Sequence, residues 1–194
     1  MDTAEELTLS RSVVLIGLMG AGKTKIGQRL GKRLGLPFVD ADDEIAAAAG
    51  CTIPEIFETL GEPAFREGEW RVIARLLDGP PQVLATGGGA FMDPQTRQRV
   101  ANRGISIWLR AELDVLVERT GRRGGRPLLA GTDRRQTLAR LMAERYPVYG
   151  LADAIVDTGF EPPEATVDKV VQSLRRFAHN HTVDGDRPGV TQSS

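Results

Sequence analysis

The chain has 194 residues, 41% hydrophobic and 26% charged, enough for one domain with a substantial core and short for two. With 25 Lys and Arg against 26 Asp and Glu, the net charge of −1 supplies no bulk field for gripping a nucleic-acid backbone or an anionic membrane. One cysteine, Cys51, excludes an intramolecular disulfide, and without a clustered Cys/His set there is no structural zinc site. The longest apolar runs, such as Val13-Val14-Leu15-Ile16, fall far below the ~18–20 residues of a membrane-spanning helix. The acidic start MDTAEELTLS lacks the plan of a signal peptide, so a soluble, cytoplasmic protein is expected.

Residues 1–10 read as a frayed polar end. Val13 to Ile16 is a strand of the fully buried type, followed by a glycine-rich turn and a helix from Lys23 to about Leu34, with Ile26, Leu30 and Leu34 on one face. Gly35 ends that helix and Pro37 prevents its resumption. Phe38-Val39 is a second strand, and a helix over 43–49 follows. Thr52-Ile53-Pro54-Glu55 is a capping box with proline in the first turn, opening a helix that carries Ile56, Phe57 and Leu60. Residues 83–85, 105–109 and 154–156 give three more strands, each separated from the next by helical sequence. From His179 the chain has almost no apolar residues and several breakers, which predicts a disordered tail over 179–194 and one domain over 11–178. Short buried strands joined by helices make a parallel α/β sheet, whose ligands sit at the carboxyl ends of the strands.

At the first of those ends, Gly17-Leu18-Met19-Gly20-Ala21-Gly22-Lys23-Thr24 matches G-x-x-x-x-G-K-[ST] between a strand and a helix. Gly20, Ala21, Gly22, Lys23, Thr24 and Lys25 are the expected phosphate-binding segment: backbone N–H groups and the helix N-terminus meet the anion. Lys23 reaches the β- and γ-phosphates and the Thr24 hydroxyl ligates Mg²⁺. The chain is thus expected to bind ATP. No guanine-reading N-K-x-D pattern is present, which disfavours a GTPase switch.

At the second end comes Asp40-Ala41-Asp42. In an extended segment residues i and i+2 point the same way, so both carboxylates would face the phosphates, Asp40 toward the metal and Asp42 toward the acceptor. The bland alternative is that Asp42 or Asp43 merely caps a helix. Phe57 and Phe65 read as core on their own. Arg66 resists burial unless it meets a carboxylate, and Glu69 one turn on is placed to orient it. Gly87-Gly88-Gly89, directly after a buried strand, forgo side chains where another group approaches the backbone. Between Arg119 and Gly131, glycines interleaved with arginines suggest a flap over about 121–133 that carries cationic side chains. Arg145 ends the helix after the flap.

Together these residues resemble the shikimate kinases, a branch of the nucleoside-monophosphate-kinase-like P-loop proteins. The likeness runs from about residue 11 to 176. Its specific part is the ordered set Asp40-x-Asp42, Phe65-Arg66, Gly87-Gly88-Gly89, Arg126-Pro127-Leu128-Leu129 and Arg145-x-Pro147-x-Tyr149. The resemblance implies a three-layer P-loop kinase fold with strand order 2-3-1-4-5 and a substrate-binding segment at about 41–70. It also implies Thr24 and Asp40 on Mg²⁺, with Asp42, Phe57, Phe65, Arg66, Gly87, Gly88, Gly89 and Arg145 around shikimate. Arg126 would be the lid arginine and Arg119 would lie against adenine. The stretch 159–163 matches the adenine loop weakly. Nothing like dehydroquinate synthase is fused to the chain, so the free-standing enzyme is expected.

The implied reaction moves the ATP γ-phosphoryl to the 3-hydroxyl of shikimate, with Asp42, Lys23 and Arg126 as catalytic residues. The expected partners are these small molecules, with no nucleic acid, no membrane and a monomeric chain. Another small-metabolite kinase, such as a gluconate kinase, is the nearest rival. A non-catalytic ATP-binding regulator is a more distant one, since it needs neither Asp42 nor Arg126.

Overall fold

A computed structural model of the chain describes residue 7, residues 9–121 and residues 133–183. Five strands form one parallel sheet: β1 (Ser12–Ile16), β2 (Phe38–Asp40), β3 (Val83–Ala85), β4 (Gly104–Arg110) and β5 (Ala154–Asp157), in the order β2-β3-β1-β4-β5. Every residue of β1 is buried, as a central strand covered on both faces must be. Eight α-helices connect and flank the strands among the described residues. They are α1 (Lys23–Leu34), α2 (Ala41–Ala49), α3 (Ile53–Thr59), α4 (Gly61–Asp78), α5 (Pro94–Arg103), α6 (Leu113–Gly121), α7 (Arg134–Tyr149) and α8 (Pro163–Val183).

Two apolar clusters hold the chain together. The larger one is built on the sheet and includes Leu15, Leu30, Leu84, Ile107, Leu116, Leu138 and Leu174. The smaller consists of Ile45, Ile56, Phe65 and Val72, from α2, α3 and α4. It gives the segment between β2 and β3 its own packing.

Helix α1 sits unusually close to β2, and this fixes where the glycine-rich loop emerges. A Cβ on Gly27 would stand 2.7 Å from Cδ2 of Phe38, and one on Gly31 would stand 2.8 Å from the Leu36 carbonyl oxygen. Both glycines have ordinary helical backbone, so close approach is the reason for them. Ion pairs Arg29–Glu164 (2.7 Å) and Arg33–Asp168 (3.0 Å) tie α1 to α8 at the surface, where such pairs add little.

Three boundaries differ from the sequence expectation. Helix α2 begins at Ala41, not residue 43, because Asp40 at the end of β2 is itself the cap: its Oδ1 accepts from the Asp42 N–H at 3.2 Å. The extended Asp40-Ala41-Asp42 segment therefore does not exist, and neither Asp42 nor Asp43 is the capping residue. Helix α8 continues to Val183, past the start expected for the tail at His179. Leu7 and Leu9, in the stretch expected to fray, are half-buried against the main cluster.

The α1 contact makes a stability prediction. Gly31→Ala gains helix propensity worth about 1 kcal/mol, but its methyl meets a backbone carbonyl that cannot rotate away. A net loss of about 1–3 kcal/mol is expected, read as a lowered urea midpoint with an unchanged slope. An equal or raised midpoint would contradict the packing described.

Candidate active site

The loop between β1 and α1 is shaped by glycine. Gly20 (φ 86°) and Gly22 (φ 98°) lie in the left-handed region, which side chains make costly. Gly22 is also the N-cap of α1 and offers no side-chain oxygen, and the first turn carries no acid. No side-chain cap and no acid therefore competes with an external anion at the positive end of this helix dipole. Lys23 folds back along the loop, its Nζ donating to the carbonyls of Gly17 (2.7 Å) and Leu18 (3.1 Å).

Thr24 and Asp40, from α1 and the end of β2, meet directly: Thr24 Oγ1 donates to Asp40 Oδ2 at 2.9 Å. Two hard oxygen donors therefore stand together beside the phosphate loop. Among the described residues no group of three or more His, Cys, Asp or Glu residues forms a self-sufficient metal cage. A cation at Thr24 and Asp40 would complete its shell from phosphate oxygens and water, which suits Mg²⁺.

Lys25 is exposed in the first turn of α1, and its ammonium acts electrostatically on Glu164 of α8. Only its position at the helix N-terminus connects it with the loop. Arg119 of α6 closes the other side of that loop. Its Nη1 donates to the carbonyls of Gly20 (3.2 Å) and Ala21 (3.3 Å), and its Nη2 donates to the carbonyl of Gly159. Burial pulls this guanidinium below its ordinary value, with Glu161 and Glu118 opposing. Arg119 thus bridges the phosphate loop to Gly159, the first residue of the 159–163 stretch that matches the adenine loop weakly.

The second pocket forms where β3 ends. Gly87, Gly88 and Gly89 have no positive φ, so conformational freedom is not why glycine is needed. Side chains from three helices crowd the space that Cβ atoms would fill. A Cβ on Gly87 would lie 2.9 Å from both Asp42 Oδ1 and Glu69 Oε1. One on Gly88 would lie 3.2 Å from Arg145 Nη1 and 3.6 Å from the Gly17 carbonyl oxygen, the same oxygen that accepts from Lys23. One on Gly89 would overlap the Arg66 guanidinium, 2.8 Å from its central carbon. Asp42 comes from α2, Arg66 and Glu69 from α4, Arg145 from α7, and the pocket abuts the phosphate loop. Asp42 reaches this place from the first turn of a helix and not from an extended strand.

Glu69 is the buried member of a pair, 3% exposed, and its Oε2 accepts from Arg66 Nη1 at 2.7 Å. Burial pushes its carboxyl above the ordinary glutamate range; Arg66 opposes the rise and Asp42 adds to it. Burial alone would lower Arg66, but the carboxylates of Glu69 and Glu62 more than offset it, so the guanidinium stands above its usual value. Glu69 Oε1 and Arg145 Nε are buried with no hydrogen-bond partner among the described residues. Unsatisfied buried polar atoms on both sides of a glycine loop are what an unbound polar ligand leaves behind.

Phe65 is buried and Phe57 is 38% exposed, their ring centroids 4.5 Å apart, with the Arg66 guanidinium 5.2 Å from the Phe65 centroid. Phe65 is therefore both core and backing for Arg66, while Phe57 is not core. The structure brings Asp42, Phe65, Arg66, Gly87, Gly88, Gly89 and Arg145 together, with Phe57 attached through Phe65. Arg126 and residues 122–132 of the flap expected over about 121–133 lie outside the described residues. Glu69 belongs with this group as fully as Arg66 does; the i,i+3 spacing signalled the pair, but no sequence pattern signalled its buried free oxygen. Tyr149 was also missed as a contributor: its hydroxyl donates to the Gly88 carbonyl.

Known proteins place this arrangement. The shikimate kinase family profile matches residues 19–175. A shikimate kinase from Paramagnetospirillum magneticum is 57% identical over 166 residues, covering 86% of this chain and 85% of its own. One from Rhodopseudomonas palustris is 58% identical over 167 residues, covering 86% and 82%. Among solved structures, the shikimate kinase from Acinetobacter baumannii in complex with shikimate superposes with a TM-score of 0.82 at 36% identity, covering 86% of this chain and 94% of that one. By fold and by sequence over most of its length, the chain belongs to the shikimate kinase family.

Proposed function

We propose that this chain transfers the γ-phosphoryl group of ATP to the 3-hydroxyl of shikimate, releasing ADP and shikimate 3-phosphate. The observation that carries the reading is the joining of a phosphate-binding loop to a pocket of two arginines and two carboxylates around side-chain-free glycines. Shikimate has one carboxylate for Arg66 and Arg145, and hydroxyl groups for Asp42, Glu69 and the loop backbone. Arginine suits the first task because its planar fork matches a carboxylate.

In the reaction the bond between the γ-phosphorus and its bridging oxygen breaks as the acceptor oxygen bonds to phosphorus. The hydroxyl proton leaves late in a loose transition state, so Asp42 serves first to aim the hydroxyl and then to take its proton. Lys23 would leave the loop carbonyls for the phosphates, and Arg126 would bring a further positive charge from the flap. Thr24 and Asp40 would hold Mg²⁺, which would supply charge neutralisation for the phosphate oxygens. The reading has the chain act as a monomer, in the cytoplasm, on small molecules. No described helix is long and apolar enough to cross a membrane.

The direct test is ADP release with ATP and Mg²⁺, in the presence of shikimate, gluconate or AMP. Release that requires shikimate, with one equivalent of phosphorylated product, is expected. Turnover with gluconate or AMP instead would overturn the reading of the acceptor pocket, and silence with every acceptor would point to a regulator.

Glu69 gives a second prediction. Its carboxyl is held above its ordinary value, so its ionised form is disfavoured in the fold and weakens stability at pH values above that point. Glu69→Gln is expected to melt no lower than the parent at pH 7. It loses the ion pair that aims Arg66, so the shikimate KM should rise by about fivefold or more. The acid limb of kcat/KM for shikimate, expected at a pH above the ordinary glutamate range near 4.5, should vanish in the variant. A large loss of melting temperature with unchanged shikimate KM would contradict this.

A further inference from the structure

Tyr149 closes α7, one turn after Arg145, and is fully buried. Its ring belongs to an aromatic group with Trp108 and Tyr146, at centroid distances of 5.9 and 6.2 Å, and Trp108 and Tyr146 stack edge-on at 4.7 Å. The two tyrosines end differently. Tyr146 donates its hydroxyl to the Ala111 carbonyl, whereas Tyr149 donates to the carbonyl of Gly88, in the middle of the glycine loop. Arg145 is a hydrogen-bonding and charged neighbour of the same phenol oxygen. Burial pushes the phenol up to about 12, so the proton it donates stays in place across the working range.

The consequence follows from peptide geometry. Gly88 C=O and Gly89 N–H belong to one planar trans peptide, so they point in opposite directions. Anchoring the carbonyl on Tyr149 turns the Gly89 N–H to the other side of the loop, where no described residue accepts a hydrogen bond from it. The Ala90 N–H donates to the Gly87 carbonyl at 3.2 Å and closes a turn around this peptide, but with glycine at both central positions no side chain opposes rotation of the peptide within that turn.

We propose that Tyr149 is a positioning residue for the phosphoryl acceptor: its hydroxyl locks the Gly88–Gly89 peptide so that the Gly89 N–H faces the acceptor, and steadies Arg145 beside it. This rests on the acceptor reading above. Nothing in it requires contact between Tyr149 and substrate.

Tyr149→Phe keeps the ring and its packing and removes only the hydroxyl. The expected result is a shikimate KM raised about tenfold, with the ATP KM and kcat within about twofold of the parent. Tyr146→Phe, which cuts the equivalent bond to Ala111, should lower the melting temperature and leave the shikimate KM unchanged. In the parent chain, the Gly89 amide resonance should move on addition of shikimate and stay in place with nucleotide alone, a readout available even if Tyr149→Phe does not fold. An active parent with an unchanged Tyr149→Phe shikimate KM, with both substrates affected equally, or with an unmoved Gly89 amide, overturns the inference. A parent that does not phosphorylate shikimate would overturn the acceptor reading instead.

Discussion

Three successive residues without side chains allow the rest of this site to exist. At the end of β3, the glycines at 87, 88 and 89 leave a gap that Asp42, Glu69, Arg145 and Arg66 enter from three different helices. Each of those side chains is long or charged, and each would be displaced by a single methyl group. The gap also brings the pocket against the Gly17 carbonyl, so acceptor and phosphate loop share a wall. Chemistry between two substrates depends on such proximity far more than on any one contact, because holding them in line removes most of the entropic barrier.

The same crowding has an energetic cost that packing must offset. A carboxylate as buried as Glu69 is tolerable only beside Arg66, and its second oxygen still lacks a hydrogen-bond partner among the described residues. The small cluster of Ile45, Ile56, Phe65 and Val72 lies directly beneath, and it lets α2, α3 and α4 hold charged groups at fixed positions. Strain at the site and apolar packing beside it are thus parts of one arrangement, in which stability is given up locally for a preorganised pocket.

Much of this was legible in the amino-acid order. The β1–loop–α1 unit follows from a buried apolar run, glycines that must take positive φ, and a helical period ending at Gly35. The Thr52–Glu55 capping box was equally readable, because capping is local chemistry. What misled was Asp40-Ala41-Asp42. Period-two alternation is a property of strands, and one side-chain cap was enough to turn the second residue of the pattern into a helix. The roles of Glu69's free oxygen and Tyr149's hydroxyl were invisible for another reason. Each is defined by a neighbour dozens of residues away, and spacing carries no information about that. Arg126 was named from family likeness alone, and it falls outside the described residues.

The measurement that bears most directly on the glycine gap is shikimate and nucleotide binding by Gly89→Ala, followed by calorimetry. Gly89 has an ordinary backbone conformation (φ −92°, ψ −19°), so alanine brings no backbone strain, and the atoms it meets are the mobile end of Arg66. The account predicts a folded variant with normal nucleotide affinity and shikimate affinity reduced about tenfold or more. A variant that binds shikimate as tightly as the parent would show that the acceptor lies elsewhere.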